Sequence, residues 1–286
     1  LGIEPTASTA AVAEKLKIPV LQEFFGEALG KRIALKYGQA DLVIGNNVYA
    51  HVPDINDFTR GLKVVLKPGG TITLEFPHLM QLINHTQFDT VYHEHFSYFS
   101  LHTVNSIFQA AGLRIWDVEQ ISTHGGSLRV FGCHADDKRQ TTSKVEFLQA
   151  KEMRRGLQCL NTYRNFQVEA NRVKDDLLDF LIQQKRAGKK VIAYGAAAKG
   201  NTLLNYAGVK PDLLPFVCDA AVAKQGKFMP GSHIPILPPS KLLEFNPDFV
   251  LILPWNISEE VMEQNLALAS QGTQFVVAVP ELQVLS

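Results

Sequence analysis

Short apolar runs alternate with segments of helical periodicity along most of the chain, and this alternation limits the folds that it can adopt. In the first half, residues 40–45 and 71–76 have the β-branched or apolar character of buried strands, and residues 58–66 between them have helical spacing. The second half repeats the alternation, with strands predicted at residues 190–194 and 249–253. Strands that alternate with helices predict mostly parallel sheets with right-handed crossovers. We therefore expect an α/β protein with two such units.

The remaining predicted elements complete this plan. They are a helix at 9–16, a strand at 20–24, a turn at 67–70, a helix after Leu101, an antiparallel edge pair at 113–119 and 127–133, a helix from Asn201, strands at 213–217 and 275–279, and a helix at 258–269. Residues 142–189 contain no proline, and apolar residues recur among them at helical spacing. This pattern predicts one or two long amphipathic helices. We divide the chain into a first domain (1–140), a helical bridge (141–188) that is favoured over a coiled-coil dimer, and a second domain (189–286).

Charge and cysteine content exclude several classes of partner. Because the chain has 28 basic and 28 acidic side chains, its net charge is zero, and it has no global basic field to attract nucleic acid or anionic lipid. The three cysteines are far apart and form no CxxC pair, which excludes a disulfide scaffold or a zinc knuckle and suits the reducing cytoplasm. The longest apolar runs are too short for a membrane span. We expect no nucleic-acid, membrane or metal partner for these residues.

The densest group of polar, titratable residues is Tyr92-His-Glu-His95, which follows the strand predicted at 71–76. An imidazole, a carboxylate and a phenol can supply a general base, its orienting partner and a hydroxyl donor. A polar surface loop is one alternative. A metal site built from His93, Glu94 and His95, with His85 as an optional fourth ligand, is another, although no HExxH motif or remote cysteine supports it.

Polar residues also follow two of the predicted strands. Glu4 ends a strand, and an acid at that place in a doubly wound sheet can bind the hydroxyls of a ribose. Asn46 and His51 follow the strand at 40–45, at the sheet edge where ligands bind in such folds. A plain polar loop remains an alternative for Asn46 and His51.

A glycine-rich turn opens the second unit. Residues 195–202 come close to the phosphate-loop pattern GxxxxGK[ST], but Asn201 takes the place of the lysine and Lys199 lies two residues earlier. This difference argues against an ATP-hydrolysing site, while backbone N–H groups and Lys199 could still bind an anion. The alternative is a tight strand-to-helix turn without a ligand. The turn also lacks the GxGxxG spacing of a nicotinamide site.

Four passages together resemble the S-adenosylmethionine-dependent nucleotide-sugar C-methyltransferases, which act at C3 of deoxysugars. They are DTVYHEHFSYFS at 89–100, THGGSLR at 123–129, YGAAAKGNT at 194–202 and GKFMPGSHIP at 226–235. The resemblance implies a Rossmann-like methyltransferase domain followed by a second Rossmann-like α/β domain that helps to hold the nucleotide sugar. It further implies methylation of a 4-keto-deoxysugar linked to a nucleoside diphosphate, dTDP in particular, through an enolate.

The same resemblance assigns roles to residues of this chain. His95 would be the base, with Tyr92 and Glu94 as active-site partners. In the same terms, the cofactor would be bound by Glu4, Asn46 and His51, and the substrate by His124, Arg129, Tyr194, Gly195, Lys199, Gly200 and Asn201.

Two further features of the family would precede Leu1. They are a small zinc-binding region and the first strand of the methyltransferase domain with its glycine-rich cofactor loop. We therefore expect the 286 residues to be a fragment that binds S-adenosylmethionine poorly and is inactive by itself. The competing hypothesis is a non-enzymatic nucleotide-binding module formed by the second domain. A nicotinamide oxidoreductase is excluded by the missing GxGxxG motif.

Overall fold

The computed structural model describes residues 1–285, which form two compact units. Unit 1 contains residues 1–79, 94–122 and 126–155, and unit 2 contains residues 80–93, 123–125 and the chain from Gly156 onward. The chain therefore passes from unit 2 to unit 1 between His93 and Glu94, inside the Tyr92–His95 motif.

Unit 1 contains two sheets with helices between their strands. Its elements are β1 (Gly2–Ile3), α1 (Ala7–Lys15), β2 (Val20–Leu21), α2 (Glu27–Tyr37), β3 (Ala40–Asn46), α3 (Ile55–Val65), β4 (Leu66–Pro77), α5 (Leu101–Ala110), β5 (Leu113–Ile121), β6 (Ser127–His134) and α6 (Ser143–Arg154). A further helix, α4 (Leu79–Asn84), begins at the end of unit 1 and continues into unit 2.

The sheets of unit 1 differ in part from the predicted arrangement. Strands β1 and β2 pair in parallel, whereas the four-stranded sheet has the order β3-β4-β6-β5 with only β3 and β4 parallel. The prediction of a mostly parallel sheet is wrong for this larger sheet, because β6 enters between β4 and β5 and is antiparallel to both. The antiparallel pairing of β5 and β6 is confirmed, although only β5 lies at the edge.

The turn predicted at residues 67–70 is also wrong, since these residues belong to β4. They lie opposite a register shift between Ala40 and Leu42 of β3, where β4 contributes extra residues to the pairing. Gly69 has a positive φ of 80°, so the glycines form an irregularity inside the strand instead of ending it.

Unit 2 contains one six-stranded sheet with helices around it. Its further elements are α7 (Leu160–Arg164), α8 (Phe166–Arg186), β7 (Val191–Tyr194), α9 (Ala198–Ala207), β8 (Val217–Cys218), β9 (Ile236–Leu237), α10 (Ser240–Phe245), β10 (Phe249–Ile252), α11 (Ser258–Gln264), α12 (Leu266–Ala269), β11 (Gln274–Val277) and β12 (Gln283–Leu285). The strand order is β12-β11-β10-β7-β8-β9, and all neighbours are parallel except β11 and β12.

The strand order of unit 2 reverses at β7. From β7 the chain first builds β8 and β9 on one side, and then β10 and β11 on the other. In open α/β sheets ligands bind outside the carboxyl ends of the strands at such a switch point. The residues that follow β7 and β10 are therefore the first place to look for a ligand in this unit.

The predicted long helices are interrupted where single residues favour another conformation. Residues 142–189 form three helices, α6, α7 and α8, and the first break contains Gly156 at a φ of +76°. The helix predicted at 258–269 is split at Asn265, whose Nδ2 donates to the Val261 carbonyl (2.7 Å) and so competes with the helical backbone.

The fold class is confirmed as α/β with Rossmann-like alternation in both units. The core of unit 2 covers both faces of its sheet, and the parallel strands β7 and β10 are almost entirely buried. Within residues 1–285 no helix is long and apolar enough to cross a membrane.

Candidate active site

A short 3₁₀ turn at Tyr49–His51 holds the second half of the Tyr92–His95 motif in unit 1. The Ala50 carbonyl accepts hydrogen bonds from the N–H groups of Phe96 (2.8 Å) and Ser97 (3.3 Å). Tyr49 is fully buried, and its hydroxyl lies 2.7 Å from Thr59 Oγ1, which itself donates to the Ile55 carbonyl. The phenol is therefore the donor of this pair, and burial raises the pKa of Tyr49 so that it keeps its proton.

The turn brings two histidines together. The ring centroids of His51 and His95 are 4.9 Å apart, and the His95 ring also lies 5.7 Å from the Tyr98 ring, edge to face. His51 Nδ1 is 2.7 Å from the Glu94 carbonyl oxygen, which can only accept. Nδ1 thus carries a proton, and neutral His51 has Nε2 as its basic nitrogen. His95 and His51 are both only partly buried, so a substrate can reach them.

The other two residues of the motif lie on either side of the unit boundary. Tyr92 is partly buried in unit 2, whereas Glu94 is exposed in unit 1. Glu94 contributes its backbone carbonyl to His51, which leaves its carboxylate available for another role.

A buried carboxylate supports the end of the loop that carries His95. Glu152 of α6 and His78 after β4 are each 1% exposed, and the Glu152 carboxylate lies 2.7 Å from His78 Nε2. The same carboxylate accepts from the N–H groups of Leu101 (2.7 Å) and His102 (3.0 Å), the first residues of α5. It therefore satisfies the helix N-terminus directly after residues 94–100.

The residues predicted to bind the cofactor lie at the carboxyl ends of strands in unit 1. Glu4 directly follows β1, and its Oε1 accepts from the Thr6 N–H (2.7 Å), which fixes the carboxylate while Oε2 stays available. Asn46 is the exposed last residue of β3. An oriented carboxylate is the kind of group that binds the diol of a ribose, and the role of Glu4 toward the cofactor stays a prediction. His51, by contrast, is placed beside His95, and its role toward the cofactor stays a prediction.

His124 and Arg129, both predicted to bind substrate, lie in different units. Arg129 in β6 pairs with Glu75 (3.0 Å) and Glu119 (3.2 Å) on the two neighbouring strands, which gives it a role within the sheet of unit 1. His124 is exposed in unit 2 and has a φ of +55°, which is uncommon for a residue other than glycine.

Most of the glycine-rich turn has a packing role. Tyr194 is 8% exposed and lies in the core of unit 2. A Cβ on Gly195 would collide with the Pro254 ring, and one on Gly200 would lie 2.6 Å from Leu253 Cβ. The two glycines therefore allow β7 and α9 to approach the end of β10. The backbone groups of Gly195 are already paired, because its N–H donates to the Cys218 carbonyl (2.7 Å) and its carbonyl accepts from the Ala197 N–H (2.8 Å).

Asn201 belongs to a cavity of about 340 Å³ near the carboxyl end of β8, and its Oδ1 is buried without a partner within the described residues. Asp219, which follows β8, accepts from the N–H groups of Ala196 and Ala221 (2.7 Å each) and from Lys224 Nζ (3.1 Å). This carboxylate therefore already has three hydrogen-bond donors within unit 2.

Lys199 lies at the switch point of the sheet in unit 2. Its ammonium is 4.4 Å from the centroid of the Trp255 ring and donates to Asn256 Oδ1 (2.5 Å). Burial lowers the pKa of Lys199, an effect that nearby Asp89 opposes. The indole Nε1 of Trp255 donates to Asp89 Oδ2 (2.7 Å). Lysine, asparagine and indole thus follow β7 and β10 where a ligand is expected.

The interpretation of the sequence missed Asp89, Trp255 and Asn256 as site residues. Asp89 opens the passage that contains Tyr92, and Trp255-Asn256 directly follow the strand predicted at 249–253, so both carried a positional signal. Their contact spans more than half of the chain and cannot be derived from local spacing. Among residues 1–285 no cluster of three or more acidic, histidine or cysteine side chains could hold a metal ion.

Comparison with known proteins identifies both halves of the chain. Residues 4–118 match the family described as methyltransferase domain, and residues 122–280 match the C-methyltransferase C-terminal domain. The whole chain is 36% identical to C-methyltransferase NovU of Streptomyces niveus over 286 residues, which cover 68% of NovU.

Solved structures show weaker similarity. The methyltransferase in complex with the Trm112 activator of Haloferax volcanii is 14% identical, with a TM-score of 0.36 over 46% of this chain and 70% of that one. The 1,6-didemethyltoxoflavin-N1-methyltransferase of Burkholderia thailandensis is 15% identical, with a TM-score of 0.33 over 47% and 60%. Superpositions this loose define no residue correspondence. The family matches and the similarity to NovU show that the chain belongs to the S-adenosylmethionine-dependent C-methyltransferases.

Proposed function

We propose that the enzyme methylates a carbon next to the ketone of a 4-keto-deoxysugar linked to a nucleoside diphosphate, dTDP in particular, and that the reaction passes through an enolate. The observation that carries this proposal is the pairing of His95 with His51 on an accessible loop of a C-methyltransferase. Carbon methylation needs a base strong enough to remove a proton from carbon, and a ketone neighbour makes that proton acidic enough for an imidazole.

His95 is the proposed base. A positioned general base contributes about 10²–10⁴-fold to such a step. The edge-to-face contact with Tyr98 and the His51 ring orient the His95 imidazole. Because Nδ1 of His51 donates to the Glu94 carbonyl, its Nε2 faces away from that bond and can accept a proton in turn. His51 is therefore a second candidate base, which only variants can separate from His95.

Tyr92 and Glu94 are assigned the supporting roles. A phenol hydroxyl can donate to the oxygen that becomes negative in the enolate, and one such donor contributes about 10²–10³-fold. The Glu94 carboxylate is exposed and could accept from a sugar hydroxyl or orient an imidazole. S-adenosylmethionine, when bound, supplies the methyl group. Glu4, which follows β1, would hold its ribose, and Asn46 would contribute from the end of β3.

The second domain, residues 189–286, is proposed to bind the nucleotide part of the substrate. Lys199 supplies the positive charge at the switch point of the sheet, and Asn201 adds an amide whose oxygen has no partner within residues 1–285. His124 and Arg129 would lie near the sugar nucleotide, and Gly195 with Gly200 would shape the turn. We assign the methyl transfer to residues 1–140 and leave residues 141–188 as the segment between the domains. The three free thiols suit a cytoplasmic enzyme.

The decisive experiment follows exchange of the acidic sugar proton with deuterium from solvent in the complete enzyme. We expect His95→Ala to slow the exchange by about 10²–10⁴-fold. His85→Ala, which removes an exposed histidine of the same stretch of chain, serves as the matched control and should exchange at the normal rate. If His95→Ala exchanged the sugar proton at the normal rate and His51→Ala did not, His51 would be the base instead of His95.

The alternative is a non-enzymatic module that only binds a nucleotide in unit 2. It is favoured if dTDP binds to the enzyme while the carbon acid never exchanges, and if removal of Lys199 abolishes the binding.

A further inference from the structure

Asp89 is a buried carboxylate that the catalytic roles above leave unused. It lies in the 3₁₀ turn Phe88–Thr90 of unit 2, three residues before Tyr92, and is 0% exposed. Its Oδ2 accepts from Trp255 Nε1 (2.7 Å), whereas its Oδ1 makes no hydrogen bond of normal geometry within the described residues. A fully buried carboxylate with one strong partner costs stability, and such groups are rare unless they serve a purpose.

The cost of this burial is visible in the protonation of Asp89. Burial raises the pKa of Asp89 from 3.8 to about 6, against the hydrogen bond from Trp255, the charge of Lys199 and the backbone N–H groups of Asp89 and Thr90. An asparagine could accept the same indole hydrogen bond without a buried charge. The electrostatics of the cluster therefore favour a neutral residue, so the buried charge of Asp89 lowers the stability of the folded protein.

The segment before Tyr92 is tied to unit 2 at three successive residues. Gln87 Nε2 donates to the Gly125 carbonyl (2.7 Å), the Phe88 ring lies 5.2 Å from the Tyr206 ring, and Asp89 accepts from Trp255. A Cβ on Gly125 would collide with the Trp255 ring, so the indole is held in place from this side.

The same indole contacts Lys199. The Lys199 ammonium lies 4.4 Å from the centroid of the Trp255 ring, while the edge nitrogen of that ring binds Asp89. One rigid aromatic side chain thus connects the cation that would meet the diphosphate with the segment that leads to Tyr92. Aromatic side chains transmit position well because they have only two rotatable bonds.

We propose that Asp89 is a positioning residue for Tyr92, which it holds through Trp255 at a set distance from Lys199. This proposal rests on the proposed function, in which Tyr92 donates to the enolate oxygen and Lys199 meets the diphosphate. The Asp89–Trp255 pair then fixes the distance between Lys199, which meets the diphosphate, and Tyr92, which meets the keto group. The enzyme would therefore prefer nucleotide sugars in which the diphosphate and the keto group are separated by this distance.

The test compares two tryptophan variants of the complete enzyme. Trp255→Phe removes the donor to Asp89 and keeps an aromatic ring beside Lys199. Trp116→Phe is the matched control, because the indole of Trp116 also lies near a cation, Arg139 at 5.3 Å, but its buried Nε1 has no partner within the described residues. We expect Trp255→Phe to slow carbon-acid exchange about 10- to 100-fold, as for a misplaced catalytic group, with unchanged affinity for dTDP alone. Trp116→Phe should change neither quantity.

A double-mutant cycle separates positioning from general damage. In a Tyr92→Phe background, Trp255→Phe should cost less than about 3-fold in exchange rate, because the group that it positions is already absent. Equal losses in Trp255→Phe and Trp116→Phe, or fully additive effects in the cycle, would overturn the proposal.

A measurement that does not depend on catalysis separates the anchoring by Asp89 from the proposed catalytic function. The N–H groups of Thr90 and Val91 donate to the carbonyls of Gln87 (3.1 Å) and Phe88 (3.0 Å), and amide hydrogen exchange reports these bonds. Trp255→Phe should accelerate exchange of peptide 88–93, and Asp89→Ala, which removes the acceptor of the indole N–H, provides a second variant if Trp255→Phe fails to fold. If Tyr92→Phe has normal activity, the role of Tyr92 in catalysis fails while the anchoring can still hold. Unchanged protection of this peptide in a folded variant overturns the anchoring itself.

Discussion

Replacement of Asp89 by asparagine should make the stability of unit 2 less dependent on pH. An acid whose pKa is raised by folding destabilises the native state at every pH where the unfolded chain is already ionised. The interval between 3.8 and about 6 for Asp89 corresponds to about 3 kcal/mol, at about 1.36 kcal/mol per pH unit. The linkage relation gives nearly the whole of that cost at pH 8 and about half of it at pH 5.

The sign follows from proton binding. Between pH 4 and about pH 6 the folded protein holds a proton on Asp89 that the unfolded chain has released, so the free energy of unfolding of the wild type falls as pH rises through this interval. Asp89→Asn has no carboxyl group at this position, so its free energy of unfolding does not fall with pH for this reason. Its amide can still accept from Trp255 Nε1, and any cost of its buried NH₂ group is independent of pH. We therefore expect the variant to gain about 1–2 kcal/mol on the wild type between pH 5 and pH 8.

The assay is urea denaturation of both proteins at several pH values, followed by tryptophan fluorescence. The chain has two tryptophans, one in each unit, so a Trp116→Phe background leaves Trp255 as the reporter of unit 2. All other titrating groups are shared, and the difference between the two proteins isolates Asp89. A difference that stays constant from pH 5 to pH 8, or that shrinks as pH rises, would refute the reasoning.

Three further substitutions test the supports of the site by urea denaturation. Glu152→Ala leaves His78 and the first N–H groups of α5 without their acceptor and should lower the free energy of unfolding by about 3–5 kcal/mol. Glu146→Ala, on the exposed side of the same helix, should lower it by less than about 0.5 kcal/mol. Similar losses in the two variants would contradict the buried role of Glu152. Gly200→Ala places a Cβ 2.6 Å from Leu253 Cβ and should cost about 1–3 kcal/mol, and an unchanged stability would show that α9 does not pack this closely. Tyr49→Phe loses the hydrogen bond to Thr59 and should lower the free energy of unfolding by about 1 kcal/mol. Tyr37 is exposed, so Tyr37→Phe should not show this loss.

Local patterns predicted the central strands of unit 2 well because buried strands have a strong signal, whereas of the strand predicted at 213–217 only Val217 lies in β8. The apolar runs at 190–194 and 249–253 lie in the centre of the unit 2 sheet, where both faces are covered. Helix α2 was missed, since its only buried residues are Leu29 and Gly30 and its apolar face is therefore narrow. The insertion of β6 between β4 and β5 depends on pairing between distant strands, which periodicity does not encode.

The candidate site was predictable only in part for the same reason. His95 was found from its neighbours in sequence, and His51 from its place after β3. Their contact depends on backbone hydrogen bonds from Phe96 and Ser97 to Ala50, which no spacing rule predicts. The link between Asp89 and Trp255 joins residues that are 166 positions apart.

The position of the transferred methyl group tests the central claim most directly. The complete enzyme would be incubated with the dTDP-linked 4-keto-deoxysugar and S-adenosylmethionine carrying a ¹³C-labelled methyl group, and the product examined by carbon NMR. We predict a methyl signal bonded to the carbon next to the ketone, formed by the wild type and lost in His95→Ala. A methyl group on oxygen or nitrogen, or equal product from His95→Ala, would contradict the account.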